Sequence, residues 1–312
     1  MLRSIVVPLD GSPLGEHAIP PVIPIARRFG ATVHLLHVHL PAVPPSLSRS
    51  KPRYSDRWDE EMRAEEQHYL DGVAARLTDA GIEATVNLVD GAVVEAIHTF
   101  ARRRKAGLIA MTTHGHGAFA RVWLGSVADG LVRHANMPIL LVRPGEKPPG
   151  ARVEQVFHHV LVPVDQSAVA EEVLACALTL GEPGATRYTL LRVVPPALPG
   201  GPELAEHGAR DDPLDLEEAR SLAELTRIAG VMRARGIPIE AKVVRHPQPA
   251  RGILEYAGDH GIDAIAMATR GRAGLSRLLL GSVTDKVLRG TTLPILLYGP
   301  QGRPPASSNQ AA

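Results

Sequence analysis

The chain has 312 residues, 45% apolar and 21% charged, a composition that excludes a disordered protein and gives length enough for two domains. Its net charge of +1 offers no electrostatic case for a nucleic-acid or membrane partner. A single cysteine excludes an internal disulfide and fits a reducing compartment, so a cytoplasmic location is expected. The first apolar run ends in a turn by Asp10, too early for a signal-peptide core or a membrane span. Aromatic residues make up only 4%, so the cores must be built from Val, Leu, Ile and Ala. Cys176 lies in one such apolar pattern and reads as a buried small hydrophobe.

Residues 4–9 form a continuous apolar run closed by Asp10-Gly11-Ser12, a strand and a turn. A helical pattern follows to about residue 29, where Gly30 stops it. That helix carries Pro20, Pro21 and Pro24, and an interior proline predicts a kink or a restart. Residues 32–38 are the second strand, and 41–53, rich in Pro and Ser, read as a long loop. An amphipathic helix spans 56–80 and closes at Gly81. A strand over 83–89, a helix over 93–104, a strand over 108–111, a helix over 125–134 and a strand over 139–142 complete the series. Apolar strands alternating with helices predict a parallel sheet covered on both faces.

The series then repeats. Strands are expected at 160–164, 189–193, 239–244, 264–267 and 295–297. No proline interrupts 168–180, so the second copy of the first helix should be regular. Thr112-Thr113-His114-Gly115, nine residues, then Gly125-Ser126 recurs as Ala268-Thr269-Arg270-Gly271, nine residues, then Gly281-Ser282. The offset is 156 residues here but 155 between Asp10 and Asp165, so the frame slips by one. Aligned at 156, residues 112–143 and 268–299 share 13 of 32 positions, which points to duplication of one domain. Domains are placed at 1–143 and 157–300, with a linker at 144–156 and a disordered tail at 301–312.

In each copy a buried strand feeds a glycine loop, and the loop feeds a helix start carrying Ser. Backbone N–H groups and a helix N-terminus then converge where a phosphate could sit. The N–H groups expected to do this lie around Gly115, Gly125, Ser126 and Val127, and around Gly271, Gly281, Ser282 and Val283. A lone Gly-Ser is more often a plain helix start; two copies in one strand context favour the phosphate. No P-loop lysine is supplied. Asp10 and Asp165 stand at strand C-termini, where open α/β sheets place ligands, although a turn-forming Asp is the commoner case. His114, His116, Arg270 and Arg272 flank the glycines, and contact with phosphate and a solvated loop weigh equally. His37 and His39 share a strand face, but no Cys cluster supports a metal site. The basic run 102–105 needs no role beyond complementing a helix dipole. No catalytic triad or nucleophile elbow stands out, so no catalytic residue is assigned.

These motifs resemble the universal stress protein family in its tandem form. Pro8-Leu9-Asp10 and Pro163-Val164-Asp165 match its first-strand end, His37-Val38 its second, and Arg192-Val193 partly so. The signature of Gly, two residues, Gly, nine residues, Gly and then Ser or Thr is met in both copies, except that Thr112 and Ala268 replace its first glycine. Copy two also has His246-Pro247 where copy one has Asp90-Gly91. The resemblance implies two doubly wound, Rossmann-like domains, each with a five-stranded parallel sheet of order 3-2-1-4-5. It implies an internal pseudo-dimer through 139–142 and 295–298, with a further homodimer open. It also implies adenine-nucleotide (ATP) binding, with Mg2+ accompanying the nucleotide. Pro8, Asp10, Val38 and Thr112 join the first site; Pro163, Asp165, Val193 and Ala268 join the second. The expected role is a nucleotide-dependent stress-response module with at most slow hydrolysis. The alternative is a scaffold of the same fold with its loops disabled by Thr112 and Ala268. A nucleotide-processing enzyme would need a further basic or metal-binding loop.

Overall fold

A computed structural model of the chain describes residues 2–41, 52–114, 124–134, 137–145, 154–166, 169–196, 213–269 and 280–299. The first half holds β1 (Ser4–Pro8), α1 (Ile19–Phe29), β2 (Thr32–His39), α2 (Pro52–Asp79), β3 (Ala84–Asp90), α3 (Val93–Arg103), β4 (Leu108–Thr112), α4 (Ser126–His134) and β5 (Ile139–Val142). The second holds β6 (His159–Pro163), α5 (Ala170–Ala177), β7 (Arg187–Val194), α6 (Pro213–Arg233), β8 (Ile239–Arg245), α7 (Pro249–Asp259), β9 (Ala264–Ala268), α8 (Ser282–Gly290) and β10 (Ile295–Tyr298). The helix expected from residue 56 already begins at Pro52, inside the stretch read as loop. Proline is tolerated there because a first-turn N–H has no helical partner to lose.

The strands form one ten-stranded sheet of order β3-β2-β1-β4-β5-β10-β9-β6-β7-β8. Within each half every pairing is parallel and the order is 3-2-1-4-5, as the resemblance implied. The halves join where β5 and β10 pair antiparallel, with Leu140 opposite Leu296. Since side chains alternate along a strand, neighbouring residues face opposite layers. Ile5 and Val7 pack with α1 and α2, while Val6 between them packs with α3 and α4. Both layers run on into the second half, and all five residues of β6 are buried. Cys176 is buried in the first of these layers, and burial pushes its thiol up to about 12.

The three prolines of the first helix are accommodated in two ways. Residues Gly15–Ala18 form a 3-10 turn, and α1 restarts after it with Pro20 and Pro21 in its first turn. Pro24 is interior and has no N–H for the carbonyl of Pro20 four residues back. That carbonyl instead accepts the Gln155 amide at 3.1 Å. Beside it, Arg27 donates to both carboxylate oxygens of Glu154 at 2.7 and 2.9 Å. Arg28 donates to the carbonyls of Leu178, at 2.9 Å, and of Gly181. The end of the linker is thus bonded to α1, and α1 to the second half. Gly30 closes α1 with φ at 58°, a left-handed conformation in which glycine has no Cβ to clash.

Candidate functional site

Parallel pairing brings the C-termini of β1, β2 and β4 to one edge of the first half-sheet. Pro8, Asp10, Val38 and Thr112 gather there with Ser126 at the start of α4. Pro163, Asp165, Val193, Ala268 and Ser282 do the same in the second half. Because β5 and β10 run antiparallel, the two gatherings lie on opposite edges of the ten-stranded sheet. Gly115 and Gly271, with His116, Arg270 and Arg272, lie outside the described residues, as does the 301–312 tail.

The strand end and the helix start are tied together identically in both halves. The Gly125 amide donates to the Thr113 carbonyl at 2.8 Å, and the Gly125 carbonyl accepts the Asp129 amide at 2.9 Å. Gly281, Thr269 and Asp285 repeat both distances. The Gly125 and Gly281 amides, expected around a phosphate, close the loop onto the strand end in this structure. A Cβ on Gly125 would stand 3.1 Å from the Thr113 oxygen, so the glycine permits a close backbone approach. Phosphate binding would then fall to the amides of Ser126 and Val127, and of Ser282 and Val283. They open their helices, where an N–H has no helical acceptor. Ser126 and Ser282 are exposed.

Thr112, in place of the signature glycine, fixes the turn: its hydroxyl donates to the His114 carbonyl at 2.8 Å. The His114 ring is itself 3.0 Å from the Thr113 hydroxyl. At Ala268 the carbonyl accepts the Thr284 hydroxyl at 2.9 Å. Asp10 performs the turn role, since one carboxylate oxygen accepts the Ser12 amide at 3.0 Å and its hydroxyl at 2.7 Å.

An ionic cluster that the sequence reading did not assemble lies beside this edge. His39 on β2 has a fully buried side chain. Its Nδ1 is 2.7 Å from Glu66 Oε2 and its Nε2 is 2.9 Å from Asp59 Oδ1, both on α2. His37 donates from Nδ1 to the Leu9 carbonyl at 2.8 Å and presents Nε2 to Glu66 Oε1 at 3.3 Å. Arg63 holds the far side of Asp59 at 3.0 Å and reaches Asp90 on β3. The sequence carried one signal of this: Asp59 and Glu66 are seven residues apart, on one face of the long helix. Among the described residues, no group of three or more His, Cys, Asp or Glu is arranged to hold a metal ion.

The second half fills the same place differently. Arg192 stands 155 residues after His37. It is buried, donates to Glu224 of α6 at 2.6 Å, and donates to the Asp165 carbonyl at 3.1 Å. Arg63 and Asp90 are matched at the same offset by Glu218 and Arg245, which pair at 2.6 Å with the charges exchanged. Strand register refines one sequence alignment. His39 pairs with Asp90 and Val194 with Arg245, so Asp90 corresponds to Arg245. His246-Pro247 therefore replace Gly91 alone, and this inserted residue is where the frame slips from 155 to 156. The His246 ring accepts the Gln248 amide at 3.0 Å. Gly252 makes room for it, since a Cβ there would stand 2.9 Å from the His246 Cβ.

Comparison with known proteins is consistent along the chain. The family model described as the universal stress protein family matches residues 1–143 and 157–299. Universal stress protein Rv2623 of Mycobacterium tuberculosis is 27% identical over 302 residues, covering 94% of this chain and 95% of that protein. Universal stress protein MJ0531 of Methanocaldococcus jannaschii is 30% identical over 147 residues, covering 47% of this chain and 85% of that protein. Among solved structures, a universal stress protein from Archaeoglobus fulgidus superposes with a TM-score of 0.65 at 19% identity, over 95% of this chain and 98% of that one. At that identity the likeness speaks for the fold.

Proposed function

The chain belongs to the universal stress protein family, and from that premise we propose that it binds an adenine nucleotide, ATP, at the strand C-termini of its half-sheets. It would act as a nucleotide-dependent stress-response module in the cytoplasm. The observation carrying this reading is the helix start at Ser126, repeated at Ser282. Each brings first-turn amides, which have no acceptor within their own helix, and a small hydroxyl to a strand edge that also carries an Asp. Such an arrangement suits an anion, through the first-turn amides and the positive end of the helix dipole. Mg2+ would arrive with the triphosphate. The chain's own part is to bind and orient, with Ser126 and Val127 on the phosphates and the ends of β1 and β2 at the nucleoside. Among the described residues no base is placed for efficient hydrolysis, and turnover is expected to be slow.

Thermal unfolding with and without Mg-ATP tests the reading. Nucleotide at 100 times its dissociation constant adds about 2.7 kcal/mol, which raises Tm by roughly 5–10 °C in domains of this size. No shift, with no nucleotide released from denatured purified protein, would favour the scaffold reading. One observation supports that second reading: Gly125, Gly281 and the Thr112 hydroxyl already spend their hydrogen bonds within the loops.

A further inference from the structure

The two halves hold their long helices against the sheet by different chemistry. In the first half, both ring nitrogens of the buried His39 lie within 2.9 Å of carboxylate oxygens, on Glu66 and Asp59. A neutral imidazole has one N–H and one lone pair. It would satisfy one carboxylate and turn a lone pair toward the other, in a site where an unmade hydrogen bond is expensive. An imidazolium donates to both. In the second half, the position of His37 is taken by Arg192, a guanidinium that keeps its charge at every working pH.

We infer that His39 is a protonation-dependent latch between β2 and α2, which loosens the first half alone as pH rises. The inference goes beyond nucleotide binding and does not require it. Every charged group that faces the latch belongs to the account. From α2 come Glu66, Asp59 and Arg63; from β2 comes His37; from β3 comes Asp90, which reaches the latch through Arg63. Burial and the Arg63 charge oppose protonation of His39, while the Asp59 and Glu66 hydrogen bonds outweigh them and hold it above its ordinary 6.5. Asp59 is held below its usual 3.8 by the same His39 contact and by Arg63.

The signs follow. With its folded pKa raised, His39 contributes fully below about pH 6.5, and its contribution is lost as pH rises through the folded value. Asp59, with its folded pKa depressed, contributes above about 3.8 and loses its contribution as pH falls through the folded value. The latch is therefore strongest between the two limits. Once His39 is neutral, the opening equilibrium of α2 rises about tenfold for each pKa unit by which folding had raised it.

Two measurements on the full chain test this. Ring-nitrogen NMR should find both His39 nitrogens protonated at about pH 6 and a titration above that of an unperturbed histidine. Hydrogen exchange, corrected for its intrinsic pH dependence, should show α2 losing protection across that titration while α6 holds. In His39→Gln, which cannot titrate, the pH-dependent change in α2 should vanish. A His39 ring that titrates at or below the value of an unperturbed histidine overturns the inference, as does parallel loss of protection in α2 and α6. The NMR result decides the matter even if the variant fails to fold.

Discussion

The amide of Gln155, just ahead of the second half, donates to the carbonyl of Pro20 in the first, at 3.1 Å. Pro24 leaves that carbonyl without its helical donor, so the interior proline that strains one helix creates the acceptor that docks the linker. Removing an interior proline from an ordinary exposed helix gains about 3 kcal/mol. Pro24→Ala should gain far less, under about 1 kcal/mol, because the orphaned acceptor is already bonded and Pro24 is buried. Urea unfolding measures this; a gain near the full helix value would show that the Gln155 bond compensates nothing.

The join between halves rests on Leu140 and Leu296, which face each other across β5 and β10 and are almost fully buried. Leu140→Ala should cost about 2–5 kcal/mol. The loss should appear in both halves at once if they unfold as one unit, seen as a single displaced transition in calorimetry. Two separated transitions would mean that the junction couples the halves weakly.

Two buried histidines, His34 and His159, and the half-buried His98 act against acid. Burial pulls His34, His98 and His159 below their ordinary value, with nearby Arg104, Arg102 and Arg187 adding to it. A group with a depressed folded pKa contributes stability above its unfolded value and loses it as pH falls through the folded one. Stability should therefore decline as pH drops below about 6.5, with His39 working in the opposite sense. His159→Ser, which copies the first half's Ser4, should lower stability at pH 8 yet flatten the acid slope. An unchanged slope would remove His159 from the account.

The exchanged pairs Arg63–Asp90 and Glu218–Arg245 predict a tolerated reversal. Glu218→Arg and Arg245→Glu should each destabilise, and the double variant should recover most of the loss. A double-mutant cycle should give a small favourable coupling that weakens with added salt, since both side chains are over a third exposed. Independent, additive losses would show that the pairing is incidental.

Gly125 is the site glycine whose constraint is measurable. A Cβ there sits 3.1 Å from the Thr113 carbonyl, which must yield by a few tenths of an ångström. Gly125→Ala should lower Tm by a few degrees, as a cost of about 1 kcal/mol does at this size. It should also shrink the Mg-ATP shift, because Ser126 and Val127 move with it. A full shift with a lowered Tm would separate the glycine from ligand binding.

The strands were legible in sequence because parallel strands covered on both faces are uninterrupted apolar runs, as 4–9 and 139–142 show. Order and seam came from the resemblance, since periodicity says which face is buried but not which strand is next. The edge of the site was legible through Asp10, Ser126 and their copies. The commitment of Gly125 to Thr113 was not, because a glycine that frees an amide and one that admits a carbonyl look alike in a string of letters. The His39 cluster escaped for another reason: its partners lie 20 and 27 residues away, and the rotation of α2 about its axis decides whether they meet.

A separate pair of identical subunits joined through β5 would have to match one surface to itself, so any change at the seam or at His39 would appear twice. Placing both copies on one polypeptide removes that demand and makes the association independent of protein concentration. The charge-exchanged pairs and the substitution of Arg192 for His37 are changes of the kind that this freedom permits: each half can be tuned while the other stays as it was.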